Sequence, residues 1–273
     1  ILQEIGVTEI YKAEILSFVT ARIPINEIHG LTQQSYIQKI GDGEEQMQIL
    51  DNNGADNGVK FTNLFEAKNI VNANDLAYSG IDTNVAVIDT GINENHSDLK
   101  NKVILEARCV GSSCIKDKLD ADYHGTVQAG IISATSSDSL MNGVAISTKL
   151  FDLFSITRSA SFAGALDYAL TQGADIANVA ITDVSPFCNK YEALSILIDE
   201  AIDKGMLIVS AVGNGDDYKK LNPDTNSMLP LVYDISCSLN TISVGALDKN
   251  GKIWDRKTLS NRNDYSSRGP TFD

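Results

Sequence analysis

The stretch NVAVIDTGINENHSDL, residues 84–99, runs from an apolar segment directly into a carboxylate, a hydroxyl and a glycine. Its first six residues are rich in Val and Ile, which is typical of fully buried parallel strands. Four later segments share this character: KLFDLFSI (149–156), ADIANVAI (174–181), MLIVSAVG (206–213) and TISVGA (241–246). The pattern predicts a parallel sheet in which Asp89 stands at the end of a strand.

Helical patterns alternate with these strands. SFAGALDYALTQG (161–173) and YEALSILIDEAIDKG (191–205) each place apolar residues on one face and end in glycine. Alternation of this kind predicts an α/β fold, a parallel sheet with helices on both faces. Functional sites of such sheets gather at the carboxyl ends of the strands, where Asp89 and Asn214 are both predicted to lie.

The first 60 residues are interpreted as a separate small α+β unit. The Asn, Gly and Asp cluster DNNGADNGVK (51–60) predicts an exposed linker. Before it, the pattern predicts strands over 14–24, 36–41 and 45–50 and a helix over 25–34, in which His29 is a structural residue. The predicted domains are therefore 1–60, including the linker, and 61–273.

Composition excludes several classes of protein. The 273 residues carry a formal net charge of −14, which disfavours nucleic-acid binding because that binding depends on Lys and Arg. No apolar run reaches the roughly 20 residues that a bilayer requires, so no membrane span is predicted. The chain begins at Ile1 without a signal peptide, so we expect a processed or cut piece.

The four cysteines lack the paired spacing of a zinc site. Cys109 and Cys114 flank a short loop that a disulfide could close, and Cys188 and Cys237 would then form a second bridge. Four cysteines allow three pairings, and four buried free thiols in a cytosolic protein are the alternative. We favour disulfides, and hence a secreted or extracytoplasmic location.

Two further motifs follow the strand-end Asp89. In DYHGTVQAGIISAT (122–135), His124 precedes a helical pattern; a histidine there is ordinarily structural, but Asp followed by His is one chain order of a Ser-His-Asp triad. In GNG (213–215), Asn214 follows a buried strand. A turn explains this tripeptide, and so does a side-chain amide directed at a developing oxyanion.

With these motifs the chain resembles the subtilisin-like serine proteases, the subtilases, over about residues 68–273. VAVIDTGINENHSDL, HGTVQAG and GNG are similar to the family's Asp, His and oxyanion Asn motifs, and 35 and 90 residues separate Asp89, His124 and Asn214. GALD (245–248) and YSSRGPTFD (265–273) resemble later family segments. The resemblance implies a serine endopeptidase in which Asp89 is the triad acid, His124 the base and Asn214 the oxyanion donor.

The resemblance also implies partners and ligands. The substrate is a peptide or protein, bound along Ala180, Ile181 and Thr182 and at Gly213. The stretch VTARIPINEIHGL (19–31) resembles the family propeptide, so residues 1–60 are expected to act as an intramolecular inhibitor that is processed near the linker. No cofactor is needed for the chemistry, and structural calcium is compatible with the family, with no ligands that we can identify.

The chain departs from the family at several positions. No serine lies in the family's GTSMA motif, so we expect a piece cut before that motif and inactive by itself. Thr182 and Asp183 stand where the family has glycines, and their side chains are expected to narrow the first specificity pocket. Gln128 replaces an apolar residue after His124.

Three alternatives follow. A pseudoprotease, serving as a peptide-binding or scaffold module, explains these departures. An aspartic protease would need a second Asp-Thr-Gly or a dimer, and its mostly-β architecture contradicts the helical patterns. A dinucleotide-binding enzyme would need a G-x-G-x-x-G after a strand, which is absent. His96, in NENHSDL, is interpreted as structural.

Overall fold

The computed structural model describes residues 2–43, 47–49, 64–74, 76–117, 123–155, 158–183, 192–213, 234–247 and 250–252. The strands are β1 Thr8–Lys12, β2 Val19–Arg22, β3 Met47–Ile49, β4 Asn84–Asp89, β5 Val103–Val110, β6 Ser113–Ile115, β7 Lys149–Phe154, β8 Ile176–Val179, β9 Ile181–Asp183, β10 Leu207–Ala211 and β11 Ile242–Val244. The helices are α1 Ile28–Thr32, α2 Leu64–Ile70, α3 Tyr123–Ser133, α4 Ser159–Thr171 and α5 Ala193–Asp203.

Seven strands form the central sheet in the order β11-β10-β8-β4-β7-β5-β6. Its neighbours pair in parallel except at one edge, where β5 and β6 form an antiparallel hairpin. Strand β4 lies in the middle of this sheet, and the strand that ends in Asp89 is therefore buried on both edges. The predicted α/β fold is confirmed, and the hairpin is the one antiparallel pairing of this sheet among the described strands.

Helices cover both faces of the sheet. On one face, α3 packs through Ala129 against Val87 of β4 and Leu150 of β7. On the other, α4 and α5 pack against the alternate residues of the same strands, Ile88 and Leu153 among them. Side chains of a strand alternate between faces, so β4 supplies both cores and has five buried residues in succession. Two packed layers thus hold the end of β4 in place.

The two helices predicted from apolar periodicity are confirmed. Helix α4 buries Phe162 and Leu166 completely, and α5 buries Ile198 completely. Gly173 and Gly205 follow these helices with φ of 82° and 103°, the left-handed conformation in which glycine ends a helix without strain. The sequence pattern therefore identified both the buried faces and the ends of these helices.

The N-terminal region differs from its prediction in three places. Strand β1, which pairs with β2, was not predicted. The strand predicted over 14–24 is confined to β2, Val19–Arg22, and no strand forms over residues 36–41. Residues 36–41 instead cross α5, where Lys39 forms an ion pair with Glu192 at 3.4 Å and Gly41 packs closely against Ala193. A short apolar alternation is a weak signal, because contacts with a helix satisfy it as well as a strand partner does.

Carboxylates of the helices hold the β1–β2 connection. The carboxyl group of Asp167, which is 1% exposed on α4, accepts hydrogen bonds of 2.8 Å from the backbone N–H groups of Glu14, Ile15 and Leu16. The carboxyl group of Glu200 on α5 accepts one from the N–H of Ser17 at 2.9 Å. Charge-assisted bonds of this kind to backbone groups fix the N-terminal region on the two helices.

A second contact joins the N-terminal region to the larger part of the chain. Strand β3 pairs antiparallel with β9, with Met47, Gln48 and Ile49 opposite Asp183, Thr182 and Ile181. Upstream of β3, Ser159 donates a hydrogen bond of 2.8 Å to the carbonyl oxygen of Asp42. Asp42 and β3 therefore contact the start of α4 and β9, respectively, whereas the predicted linker at 51–60 lies outside the described residues.

A disulfide joins Cys109 and Cys114, as one of the predicted pairings requires. It closes the β5–β6 hairpin. Cys237 is also disulfide-bonded, whereas Cys188 lies outside the described residues. Within the described ranges, no helix is both long enough and apolar enough to span a bilayer.

Candidate active site

Asp89 is the last residue of β4 and is completely buried. Its Oδ1 accepts a hydrogen bond of 2.7 Å from the backbone N–H of Thr90. Its own carbonyl oxygen accepts another, of 3.1 Å, from the N–H of Ser155, which follows β7. Its Oδ2 has no hydrogen-bond partner within the described part of the chain. The strand ladder and these bonds hold the carboxylate at the carboxyl edge of the sheet.

His124 lies in the first turn of α3 and contacts this carboxylate. Its Nδ1 is 2.7 Å from Oδ1 of Asp89, and its side chain is 8% exposed. A carboxylate accepts hydrogen bonds but donates none, so the contact requires the proton on Nδ1 and places the basic lone pair on Nε2. The pair is therefore an oriented imidazole with a buried carboxylate behind it.

The turn after Asp89 docks directly on α3. The hydroxyl oxygen of Thr90 accepts a hydrogen bond of 2.9 Å from the N–H of Gly125, one of the first-turn groups that a helix leaves unsatisfied. Thr126 accepts one of 2.8 Å from the N–H of Asn93. A Cβ on Gly125 would lie only 2.4 Å from the carbonyl oxygen of Gly91, so glycine permits this close approach. Sequence analysis did not assign these contacts to Thr90 and Thr126.

The predicted substrate-binding residues lie on neighbouring strands. The β4–β8 ladder pairs Ile88 with Val179, so the next positions, Asp89 and Ala180, are level at the carboxyl edge. Ala180 and Ile181 are both buried, and Ile181 begins the β9 segment that pairs with β3. Thr182 belongs to that backbone pairing.

Of the predicted oxyanion motif GNG (213–215), only Gly213 lies within the described residues. Gly213 is buried two residues beyond β10 and has φ of 102°, a left-handed conformation that favours glycine. Asn214 lies outside the described residues. The structure thus joins Asp89 with His124 and places Ala180 level with Asp89, and it leaves the geometry of Asn214 undescribed.

Asp152 is an acidic residue of this region that sequence analysis did not select. It lies on β7, is 1% exposed, and its Oδ2 accepts a hydrogen bond of 2.8 Å from the N–H of Ile92. Burial raises the pKa of its carboxyl group to about 7, and the nearby carboxylates of Glu106, Asp89 and Glu94 add to the rise, although the bond from Ile92 lowers it. The sequence signal that could have identified Asp152 is a charged residue inside the otherwise apolar run LFDLF, residues 150–154.

The other two histidines lie apart from this pair. Nδ1 of His96 accepts a hydrogen bond of 3.3 Å from the N–H of Asp98 and caps the short 3-10 helix Ser97–Leu99, as its structural interpretation expected. His29 is exposed on α1. Across the described ranges, no three His, Cys, Asp or Glu side chains are grouped to hold a metal ion. We therefore assign no calcium ligands to these residues.

Residues 80–273 match the Subtilase family of the Peptidase_S8 type. The chain is 30% identical over 176 residues to the thermophilic serine proteinase of Bacillus sp. (strain AK1), covering 62% of this chain and 39% of that protein. It is 29% identical over 197 residues to subtilisin DY of Bacillus licheniformis, covering 70% and 63% of the two chains. The chain thus covers less than two thirds of either relative.

A solved structure supports the fold. The epidermin leader peptide processing serine protease from Staphylococcus aureus aligns with a TM-score of 0.64 over 92% of this chain and 67% of that one, at 20% identity. At that identity the likeness concerns the fold alone. The family match, in contrast, covers most of the chain and includes Asp89 and His124. On this evidence, the chain belongs to the subtilase family.

Proposed function

We propose that the chain carries the acid and base of a serine endopeptidase that hydrolyses peptide bonds of a peptide or protein substrate. The observation that carries the proposal is the contact of 2.7 Å between the buried Asp89 and Nδ1 of His124. Asp89 is the triad acid, His124 the general base, and Asn214 the oxyanion donor. Ala180, Ile181, Thr182 and Gly213 bind the substrate.

The contact explains how a serine hydroxyl would be activated. Nε2 of His124 takes the hydroxyl proton as the oxygen attacks the scissile carbonyl, and Asp89 stabilises the imidazolium that forms. The side-chain amide of Asn214 donates to the negative oxygen of the tetrahedral intermediate. The imidazolium then protonates the leaving amine, and water releases the acyl group by the same steps.

No serine of these 273 residues lies in a GTSMA-type motif, so we assign the nucleophile to none of them. We expect the chain by itself to be inactive in peptide hydrolysis. The decisive test is to express the complete reading frame and treat the product with a fluorophosphonate, which labels an activated serine covalently. Labelling should be lost in His124→Ala and retained in His96→Ala, the matched control for a structural histidine. Equal labelling in both variants would contradict the assignment.

The N-terminal region is proposed to be an intramolecular inhibitor. Strand β3 occupies the backbone edge of β9, and extended peptides commonly bind by adding a strand in this way. Asp167 supplies the docking contacts, because it accepts three backbone N–H groups from residues 14–16. A substrate peptide could not use the same edge while β3 is paired there.

Variants of the α4 and α5 carboxylates test this proposal. Asp167→Ala leaves three N–H groups without their acceptor, and we expect it to expose the region up to residue 43 to limited proteolysis and to speed fluorophosphonate labelling. Asp199→Ala is the control, since Asp199 accepts from Ser238 at 2.6 Å rather than from the N-terminal region. If Asp167→Ala loses the docking of the N-terminal region but is labelled no faster than the wild type, inhibition by this region is excluded.

One observation favours a pseudoprotease as the second candidate. Thr182 and Asp183, which stand where the family has glycines, both belong to the strand paired with β3. From the family resemblance, residues other than glycine at these two positions are expected to restrict the first specificity pocket. Absence of labelling in the folded full-length protein would favour this candidate, and Thr182→Gly with Asp183→Gly would then be the variants to examine.

We further propose a secreted or extracytoplasmic location. The disulfide between Cys109 and Cys114 and the disulfide-bonded state of Cys237 support it, because such bonds persist mainly in oxidising compartments. Fractionation of the producing cell, with detection by an antibody against the chain, tests the location. Recovery of the protein in the cytosolic fraction alone would contradict it.

A further inference from the structure

Asp152 faces the same side of the sheet as Asp89. The β4–β7 ladder pairs Val87 with Asp152 and Asp89 with Phe154. Because side chains alternate along a strand, Val87, Asp89 and Asp152 all face the α3 side, where Val87 packs with Ala129. Asp152 is therefore a diagonal neighbour of Asp89 on an adjacent strand, within the range at which side chains across a sheet interact.

The hydrogen bond made by Asp152 lies in the turn that carries the active pair. Its Oδ2 accepts from the N–H of Ile92, three residues after Asp89. The intervening residues, Thr90 and Gly91, are those that dock on the first turn of α3. This bond therefore fixes the far end of the turn, while the strand ladder fixes its near end at Asp89.

The surroundings of Asp152 are acidic. Glu106 stands directly opposite it on β5, and Glu94 follows the turn after β4. Arg108 is a cation of β5 on this face, two residues nearer the carboxyl edge than Glu106. It pairs in register with Phe154, and its guanidinium lies 5.4 Å from the centroid of that ring. Oδ1 of Asp152 has no hydrogen-bond partner within the described residues.

We propose that Asp152 is a positioning residue of the Asp89–His124 pair: it holds the turn after Asp89 and, when ionised, places a second negative charge behind the imidazole. A negative charge near a histidine favours its protonated form. Asp152 and Asp89 face the same side of the sheet, and Oδ1 of Asp89 lies 2.7 Å from Nδ1 of His124. Ionisation of Asp152, whose pKa is raised to about 7, is therefore expected to favour the protonated imidazole and to alter the titration curve of the His124 ring.

The inference rests on the proposed roles of Asp89 and His124 but is tested without catalysis. The pH titration of the His124 ring is followed by NMR, with His29→Gln and His96→Gln variants assigning the three imidazoles. In the wild type we expect a broadened or two-step curve. In Asp152→Asn, which keeps an oxygen acceptor for Ile92, we expect a single step whose midpoint is lower by about half a pH unit or more.

Asp175→Asn is the matched control. Asp175 also accepts a backbone N–H next to β4, that of Asn84 at 2.8 Å, but at the opposite end of the strand and exposed. The His124 titration curve of Asp175→Asn should coincide with that of the wild type. A His124 curve in Asp152→Asn that coincides with the wild type would overturn the electrostatic part of the proposal.

The hydrogen bond is tested separately, through exchange of the Ile92 amide proton. Asp152→Leu removes the acceptor and should speed this exchange by tenfold or more, whereas Asp152→Asn should preserve slow exchange. Unchanged exchange in Asp152→Leu would overturn the positioning role. A negative fluorophosphonate result would refute the protease proposal without affecting either measurement, so the two proposals fail independently.

Discussion

The two ends of β4 are held by the same kind of bond in opposite environments. At the amino end, the exposed Asp175 accepts the N–H of Asn84 at 2.8 Å. At the carboxyl end, the buried Asp152 accepts the N–H of Ile92 at the same distance. The first carboxylate is exposed, whereas the second lies among other acids and has its pKa raised to about 7.

The difference separates an exposed structural tether from a buried one for which we propose a functional role. An exposed carboxylate that accepts a backbone N–H stabilises a strand end at little cost, because it loses little of its contact with solvent. Burying the same group carries a desolvation cost that a single N–H donor offsets only in part. That cost is concentrated at the end of β4 where Asp89 meets His124, and perturbed carboxylates are commonly found at functional sites.

The largest expected effect comes from the pair at the carboxyl end. Asp89→Asn keeps the shape of the side chain but lets it donate to Nδ1, which favours the wrong tautomer of His124. We expect the fluorophosphonate labelling rate of the full-length protein to fall by about four orders of magnitude. Labelling within tenfold of the wild type would show that the carboxylate does not orient the imidazole.

The close approach of α3 to the turn gives the next largest effect. In Gly125→Ala the new Cβ would lie 2.4 Å from the carbonyl oxygen of Gly91, so the helix and the turn must separate. We expect a loss of about 1–3 kcal/mol in the free energy of unfolding, measured by urea denaturation. At Gly130 in the same helix, a new Cβ would meet no described atom within 4 Å. Gly130→Ala should therefore raise the free energy of unfolding by up to about 1 kcal/mol. Equal effects would contradict the close contact.

The buried tether predicts a pH dependence of stability. Between its ordinary pKa of 3.8 and about 7, Asp152 is protonated when folded and ionised when unfolded. The folded state then binds more protons, so stability falls as pH rises through this window and levels off above pH 7. Asp152→Asn should lack this component, which a shift of this size makes on the order of 4 kcal/mol. If the free energies of unfolding of the wild type and Asp152→Asn depend on pH in the same way, the raised pKa of Asp152 is contradicted.

The smallest effect is expected at the exposed end. Asp175→Asn should cost about 1 kcal/mol or less, because water and the amide oxygen replace much of the lost bond. Urea denaturation at pH 6 and pH 8 measures it. A cost that falls between pH 6 and pH 8, as expected for a buried carboxyl group with a raised pKa, would remove the contrast between the two ends of β4.

Much of the sheet could be predicted from local pattern. The runs at 84–89 and 207–211 are apolar and rich in β-branched residues, the run at 149–154 is mostly Leu and Phe, and the helices of 159–171 and 193–203 have a clear apolar face and a glycine after the last turn. The N-terminal region was less predictable. β1 was missed and a strand over 36–41 was wrong, because short segments there are decided by the helices against which they lie.

The sequence by itself determined the order of motifs, the burial of β4 and the residue types at the candidate site, because these depend on periodicity and spacing along the chain. Tertiary structure alone decided which groups meet. The approach of His124 to Asp89, the bond from Ile92 to Asp152 and the pairing of β3 with β9 join residues that are 35, 60 and about 134 positions apart. Such contacts follow from strand order and register, which no local pattern specifies.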